Sequence, residues 1–178
     1  MDSRTDLARR IYNAAYITGE FKLRSGTTSH EYFDKYLFET HPPLLADIGK
    51  ALAALVPEGI DVLAGLEMGA IPLVTMIAQS TGHPVVFVRK RAKEYGTCKL
   101  AEGTEIAGKR LLVIEDVVTS GGQIVISTGE LRERGAIIEK ALCVIDREAG
   151  GGERLAENGI ALTPLFNMTE LKASASAE

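Results

Sequence analysis

The sequence predicts an α/β protein, a parallel sheet flanked by helices with a small N-terminal hood, and three observations point there. From Pro43 onward, short β-rich apolar runs alternate with amphipathic helical stretches, the pattern of strands joined by crossover helices. The 178 residues are 46% apolar and 25% charged, which suits one sizeable core. Before Pro43 a helical stretch is followed by an irregular one with extended aromatic segments, which together could form a small cap over the larger domain. Ligands of such sheets gather at the carboxyl ends of the strands, so chemistry is sought there.

In order, Asp2 or Ser3 can cap a helix to about Thr18, with Leu7, Ile11, Ala14 and Ala15 on one face and Gly19 ending it. Phe21 to Leu23 and Glu31 to Phe38 look extended, joined by the turn-rich segment Ser25 to Ser29. Helices are expected over Leu44 to Val56, Ala70 to Thr81 with Pro72 in its first turn, Gly122 to Arg134 and Glu153 to Asn158. Strands are expected at Asp61 to Ala64, Val85 to Val88, Arg110 to Ile114, Ala141 to Ile145 and Ala161 to Leu165. Residues 1–172 form one domain in this reading, the hood mainly 1–40, with 173–178 a disordered tail of low complexity.

Composition narrows the function. A balance of 20 basic against 24 acidic residues, formal net charge -4, argues against a protein built to coat nucleic acid. Cys98 and Cys143 stand in no metal-ligand spacing, so neither a disulfide framework nor a structural zinc site is expected. The first ten residues are polar and mixed in charge, unlike a secretory signal, and no run approaches the roughly 18 apolar residues of a membrane span. The expected location is the cytoplasm, with no membrane and no nucleic-acid partner.

The strongest signal is Leu111-Leu-Val-Ile-Glu-Asp-Val-Val-Thr-Ser-Gly-Gly-Gln123: a buried strand, two carboxylates, a small-residue turn and a helix start. Thr119, Ser120, Gly121 and Gly122 let backbone N–H groups converge where a helix N-terminus adds its positive end, which makes a phosphate cradle. Glu115 and Asp116 stand close enough to accept hydrogen bonds from the two ring hydroxyls of a sugar whose phosphate fills the turn. Neighbouring strand residues point to opposite faces, so both reach one ligand only if the chain leaves β geometry there. The bland alternative is an acidic turn before a helix. Another near-motif, Gly103 to Arg110, matches a P-loop except that Arg110 lacks the hydroxyl and the segment leads into a strand.

Arg89 to Lys99 carries five cationic side chains against one acid, partners suited to a diphosphate. The irregular stretch reaching Gly108 is long enough to suggest a functional lid.

The acidic pair followed by Thr119-Ser-Gly-Gly122 resembles the phosphoribosyl diphosphate signature of type I phosphoribosyltransferases. Arg89-Lys90-x-x-Lys93, with Gly96 and Glu102-Gly103 beyond, is similar to the catalytic loop of the orotate phosphoribosyltransferase family. Leu23-Arg-Ser-Gly26, Tyr32-Phe-Asp34, Gly65 to Pro72 and Val144 to Glu148 match that family in order. The resemblance implies a type I phosphoribosyltransferase fold and transfer of ribose 5-phosphate from phosphoribosyl diphosphate to orotate, giving orotidine 5′-phosphate and diphosphate in UMP biosynthesis. Other bases, or a non-catalytic sensor of phosphoribosyl diphosphate, are the alternatives.

The resemblance also implies residue roles. Arg89, Lys90 and Lys93 would hold the diphosphate, and Glu115, Asp116, Val117, Val118, Thr119, Ser120, Gly121, Gly122 and Gln123 the ribose phosphate. Thr119 and Arg147 would hold orotate, with Lys93 and Asp116 the catalytic pair. Arg147 offers a planar fork for a carboxylate or uracil-like edge, and Tyr32 and Phe33 could close over the flat base. Arg24 and Tyr95 stand where many members carry lysine and histidine, and Glu67-Met-Gly-Ala70 lacks a lysine some members carry, so contacts from Arg24 and Tyr95 rank lower. Magnesium is the expected cofactor, held mainly by the diphosphate and water with no direct protein ligand. A homodimer sharing loop residues across its interface is the expected assembly.

Overall fold

The computed structural model describes residues 3–22, 26–92 and 100–176. Arg24, Lys93 and Tyr95 lie outside the described residues. The chain opens with helix α1 (Ser3–Ala15), then strand β1 (Tyr16–Lys22), strand β2 (Thr28–Phe33) and the short helix α2 (Lys35–Glu39). Here the structure departs from the sequence expectation twice. α1 stops three residues before Thr18, because Tyr16, Ile17 and Thr18 pair antiparallel with Phe33, Tyr32 and Glu31, an arrangement that suits aromatic and β-branched side chains better than another helical turn. The segment expected to be extended as far as Phe38 is strand only to Phe33. Asp34 then accepts a hydrogen bond from the Tyr36 amide and caps α2, which turns Phe38 fully into the core.

The remainder alternates as expected: α3 (Pro42–Ala53), β3 (Val62–Leu66), α4 (Ala70–Thr81), β4 (Val85–Val88), β5 (Ala101–Gly103), β6 (Arg110–Val118), α5 (Gly122–Glu133), β7 (Ile137–Asp146), α6 (Gly151–Glu157), β8 (Ala161–Asn167) and α7 (Met168–Ser176). His41 caps α3 by accepting the Leu44 amide at Nδ1, with Pro42 and Pro43 in the first turn. The tail expected to be disordered is helical through Ser176, and Ser174 and Leu171 are buried there. α7 packs on α1, so a sequence of low complexity is held by tertiary contact.

One six-stranded sheet runs β5-β4-β3-β6-β7-β8, parallel except for β5, which returns antiparallel to β4 at the edge. β5 is three residues long and was not foreseen. Strand period 2 divides β6 between two cores. Leu112 and Ile114 pack with Ile48, Leu73 and Val74 on the α3 and α4 face. Leu111 and Val113 pack with Ile124, Leu131 and Leu155 on the α5 and α6 face. Each is at most 2% exposed, so cutting any of these leucines to alanine would cost about 2–5 kcal/mol. This two-sided packing fixes where β3, β4, β6 and β7 end, and the site is built at those ends.

Candidate active site

β3 gives β6 its last partner at Gly65 opposite Ile114, while β7 continues alongside to Val118. Past that point the amides of Asp116 and Val117 are taken by the side chains of Glu115 and Asp116 respectively. The strand runs on to Val118, yet the Glu115 and Asp116 side chains still interact with each other at its end. Asp116 is 1% exposed. Its Oδ2 receives the Lys35 ammonium from α2 across the sheet end.

The cradle follows directly. Thr119 and Ser120 are exposed, and Gly121 takes φ 67 as the residue before α5, a left-handed conformation that disfavours a Cβ. The turn leans on α6, where a Cβ on Gly151 would lie 2.7 Å from the Thr119 carbonyl oxygen. Val118 is buried, Val117 is partly so, and Gln123 donates to Ser127 one turn along α5 at 3.1 Å. Backbone N–H groups at 119–122 are thus presented at a helix start, the geometry an anion accepts.

Arg147 arrives beside this turn because its amide donates to the Val118 carbonyl at 2.9 Å. Thr119 and Arg147 are therefore brought together at neighbouring strand ends. Glu148, next in the chain, has φ 56. Its amide donates to Asp146, and its carboxylate accepts both the amide and the hydroxyl of Thr169 at the start of α7. That brace holds the Arg147 turn in place. Arg147, Tyr32, Phe33, Tyr12, Tyr16 and Lys172 line a cleft of about 220 Å³ between hood and sheet. Rings run back from it toward the core, Tyr16 on Tyr12 at 4.9 Å, Tyr12 to Phe33 and Phe33 to Phe38 at 6.5 Å each, so Phe33 is anchored while Tyr32 stays 44% exposed.

The basic loop starts at the end of β4. Arg89 is set by its amide to the Leu100 carbonyl and by an ion pair with Glu102 at 3.5 Å. Lys90 is exposed, its amide bound by Glu67 Oε1 at 2.7 Å, which ties the loop base to the turn after β3. The near-P-loop segment indeed runs from β5 into β6, with no helix at its end.

Two residues missed by the sequence reading complete the centre. Lys35 and Glu39 stand four apart on α2, hence on one face. Glu39 is 4% exposed, and its Oε1 is buried with no hydrogen-bond partner. A Cβ on Gly69, at the turn after β3, would overlap Asp116 Oδ2 and come within 2.9 Å of Glu39 Oε1, so only glycine admits this arrangement. Burial first, then the Asp116 charge, pushes Glu39 up to about 8. Burial, followed by the Asp116 charge, also raises Glu115 well above the carboxylate range. For Lys35, burial works against the charge, yet the hydrogen bond and charge of Asp116 outweigh it and the pKa rises. The signal was present as an Asp-capped i, i+4 pair, hidden by taking the segment as extended.

A small-residue turn at a helix start with a buried carboxylate before it suits a phosphoribosyltransferase domain, and the model of that domain family matches residues 38–160. Orotate phosphoribosyltransferase from Nocardioides sp. is 47% identical over 171 residues, 96% of each chain, and that from Methanocella arvoryzae is 44% identical over 153 residues, 86% of this chain and 87% of the other. A crystal structure of the Mycobacterium tuberculosis H37Rv enzyme superposes with TM-score 0.85 at 29% identity, covering 94% of this chain and 98% of that one. A second crystal structure of that enzyme, in complex with phosphoribosyl diphosphate, gives 0.81 at 26%, covering 95% and 98%. The chain belongs to the orotate phosphoribosyltransferase family.

Proposed function

We propose that the protein transfers ribose 5-phosphate from phosphoribosyl diphosphate to orotate, forming orotidine 5′-phosphate and diphosphate for UMP synthesis. The observation that carries this reading is the alignment of three subsites at adjoining strand ends: the 119–122 cradle, Asp116 beside it, and the Arg147 cleft under Tyr32 and Phe33. The sugar phosphate would fill the cradle, its hydroxyls reaching Glu115 and Asp116 and its phosphate meeting the N–H groups from Thr119 to Gln123. Orotate would lie against Tyr32 and Phe33, its carboxylate or imide edge taken by Arg147 and Thr119.

Loss of diphosphate builds positive charge at the anomeric carbon, which Asp116 answers from nearby, and negative charge on the leaving group, which falls to Arg89, Lys90 and Lys93. The ring nitrogen of orotate bonds to the anomeric carbon as the bond to diphosphate breaks, giving its proton to diphosphate or water, so no side chain is assigned as general base. The site's donors toward the sugar are oxygens, the hard ligands magnesium takes. Magnesium bound mainly through the diphosphate and water would neutralise the departing charge. Arg24 and Tyr95 are proposed as secondary contacts. The working assembly is proposed to be a cytoplasmic homodimer in which Lys93 serves the partner's site.

The test is an ultraviolet assay of purified protein with orotate, phosphoribosyl diphosphate and magnesium. Orotate absorbance should fall as diphosphate appears. Faster turnover of uracil, hypoxanthine, guanine or adenine would overturn the choice of base, and turnover of none would overturn catalysis.

A further inference from the structure

We propose that Lys35 is a positioning residue that holds the Asp116 carboxylate charged and oriented toward the sugar, with Glu39 as its buried companion. Neither lies in the motif from Glu115 to Gln123 or in the basic loop, and the mechanism above uses neither. The proposal rests on the reading of Asp116 as the group facing the developing sugar cation.

The geometry is specific. α2 begins at the Asp34 cap and is anchored by Phe38, 0% exposed, so the face bearing Lys35 and Glu39 cannot drift. Lys35 bridges from α2 to the end of β6, 81 residues away in sequence, and its side chain is 32% exposed while Asp116 is 1% exposed. The same Oδ2 occupies the space a Cβ on Gly69 would need, with Glu39 Oε1 beside it. Two carboxyl groups thus crowd one glycine and interact with each other, and Lys35 is the one described cation paired to Asp116. Like charges this close cannot both be ionised without a partner. The ammonium contacts Asp116, and no described cation makes an ion pair with Glu39, so Lys35 assigns the negative charge to the residue on the sugar side. Asp116 Oδ1 is meanwhile spent on the Val117 amide, which leaves Lys35 to fix the rotation of the carboxylate about that bond. It also joins α2 of the hood to the end of β6.

The experiment compares kcat and KM for both substrates in Lys35→Met, Glu39→Gln, the double variant and Asp116→Asn, with folding checked by thermal melting. Lys35→Met should lower kcat on the order of tenfold to a hundredfold with each KM within about threefold, because a misdirected charge is felt in the transition state rather than in binding. Adding Glu39→Gln should restore kcat by roughly threefold or more, since the competing carboxyl is gone and an amide donor now faces Asp116. A purely structural lysine would give additive losses. Should Lys35→Met not fold, Lys35→Gln takes its place with the same expected pattern. A wild-type kcat without the cation, no recovery in the double variant, or a rise confined to the KM for phosphoribosyl diphosphate would each overturn the proposal. Normal turnover by Asp116→Asn would overturn it together with the reading of Asp116, whereas a slow Asp116→Asn beside a normal Lys35→Met overturns it alone.

Discussion

At the scale of single residues, the centre of this protein is a matter of which carboxyl carries charge. Glu39 keeps its proton in the folded state up to about 8, against 4.5 when solvated. Between those values the folded chain holds a proton that the unfolded chain has released, so stability from this group falls as pH rises through the window and reaches its lowest level above about 8. Glu39→Gln removes the titration. Its melting temperature relative to wild type should therefore climb from about pH 5 to about pH 9, and parallel curves for the two proteins would show that Glu39 is ordinarily solvated. What the sequence offers at this scale is local. The turn from Thr119 to Gly122 announces itself because small residues and glycine are what a phosphate cradle requires. Lys35 was legible only as half of an i, i+4 pair after Asp34, because its contact to Asp116 lies 81 residues along the chain and no spacing encodes it.

At the scale of elements, the strands and helices of the sheet were readable because each has its own period: β6 alternates between two cores, and α4 has Pro72 in its first turn and Gly82 at its end. Elements that exist through a partner were not. β5 forms only by lying on β4, β1 begins where α1 was expected to continue, and α7 is held by α1. The cradle depends on one such contact. Gly151 opens α6 directly behind the turn, and a Cβ there would sit 2.5 Å from Val118 Cγ1 and 2.7 Å from the Thr119 carbonyl oxygen, backbone that cannot yield without moving the N–H groups it presents. Gly151→Ala should therefore fold with a loss of about 1–3 kcal/mol and raise the KM for phosphoribosyl diphosphate on the order of tenfold or more, with orotate less affected. Steady-state kinetics with each substrate varied decides this, and an unchanged phosphoribosyl diphosphate KM would mean that the turn does not hold the phosphate.

At the scale of the whole molecule, one chain brings together the cradle, Asp116 and the Arg147 cleft, while the resemblance to the family assigns the leaving-group lysine, Lys93, to a partner copy. A two-fold dimer makes that exchange reciprocal, since each contact occurs twice. Mixing tests it. Lys93→Ala and Asp116→Asn should each be almost inactive as homodimers, because every site then lacks one essential group. Co-refolding the two at equal amounts gives heterodimers as about half of all dimers. If Lys93 serves the partner's site, one site of each heterodimer collects both defects and the other neither, so roughly a quarter of wild-type activity returns. If Lys93 serves its own subunit, each heterodimer site keeps one defect and activity stays at the level of the parents. Native mass spectrometry establishes that heterodimers have formed before the rates are compared. Recovery near a quarter would place the complete site across two chains, and a flat response in verified heterodimers would return Lys93 to the subunit that carries it.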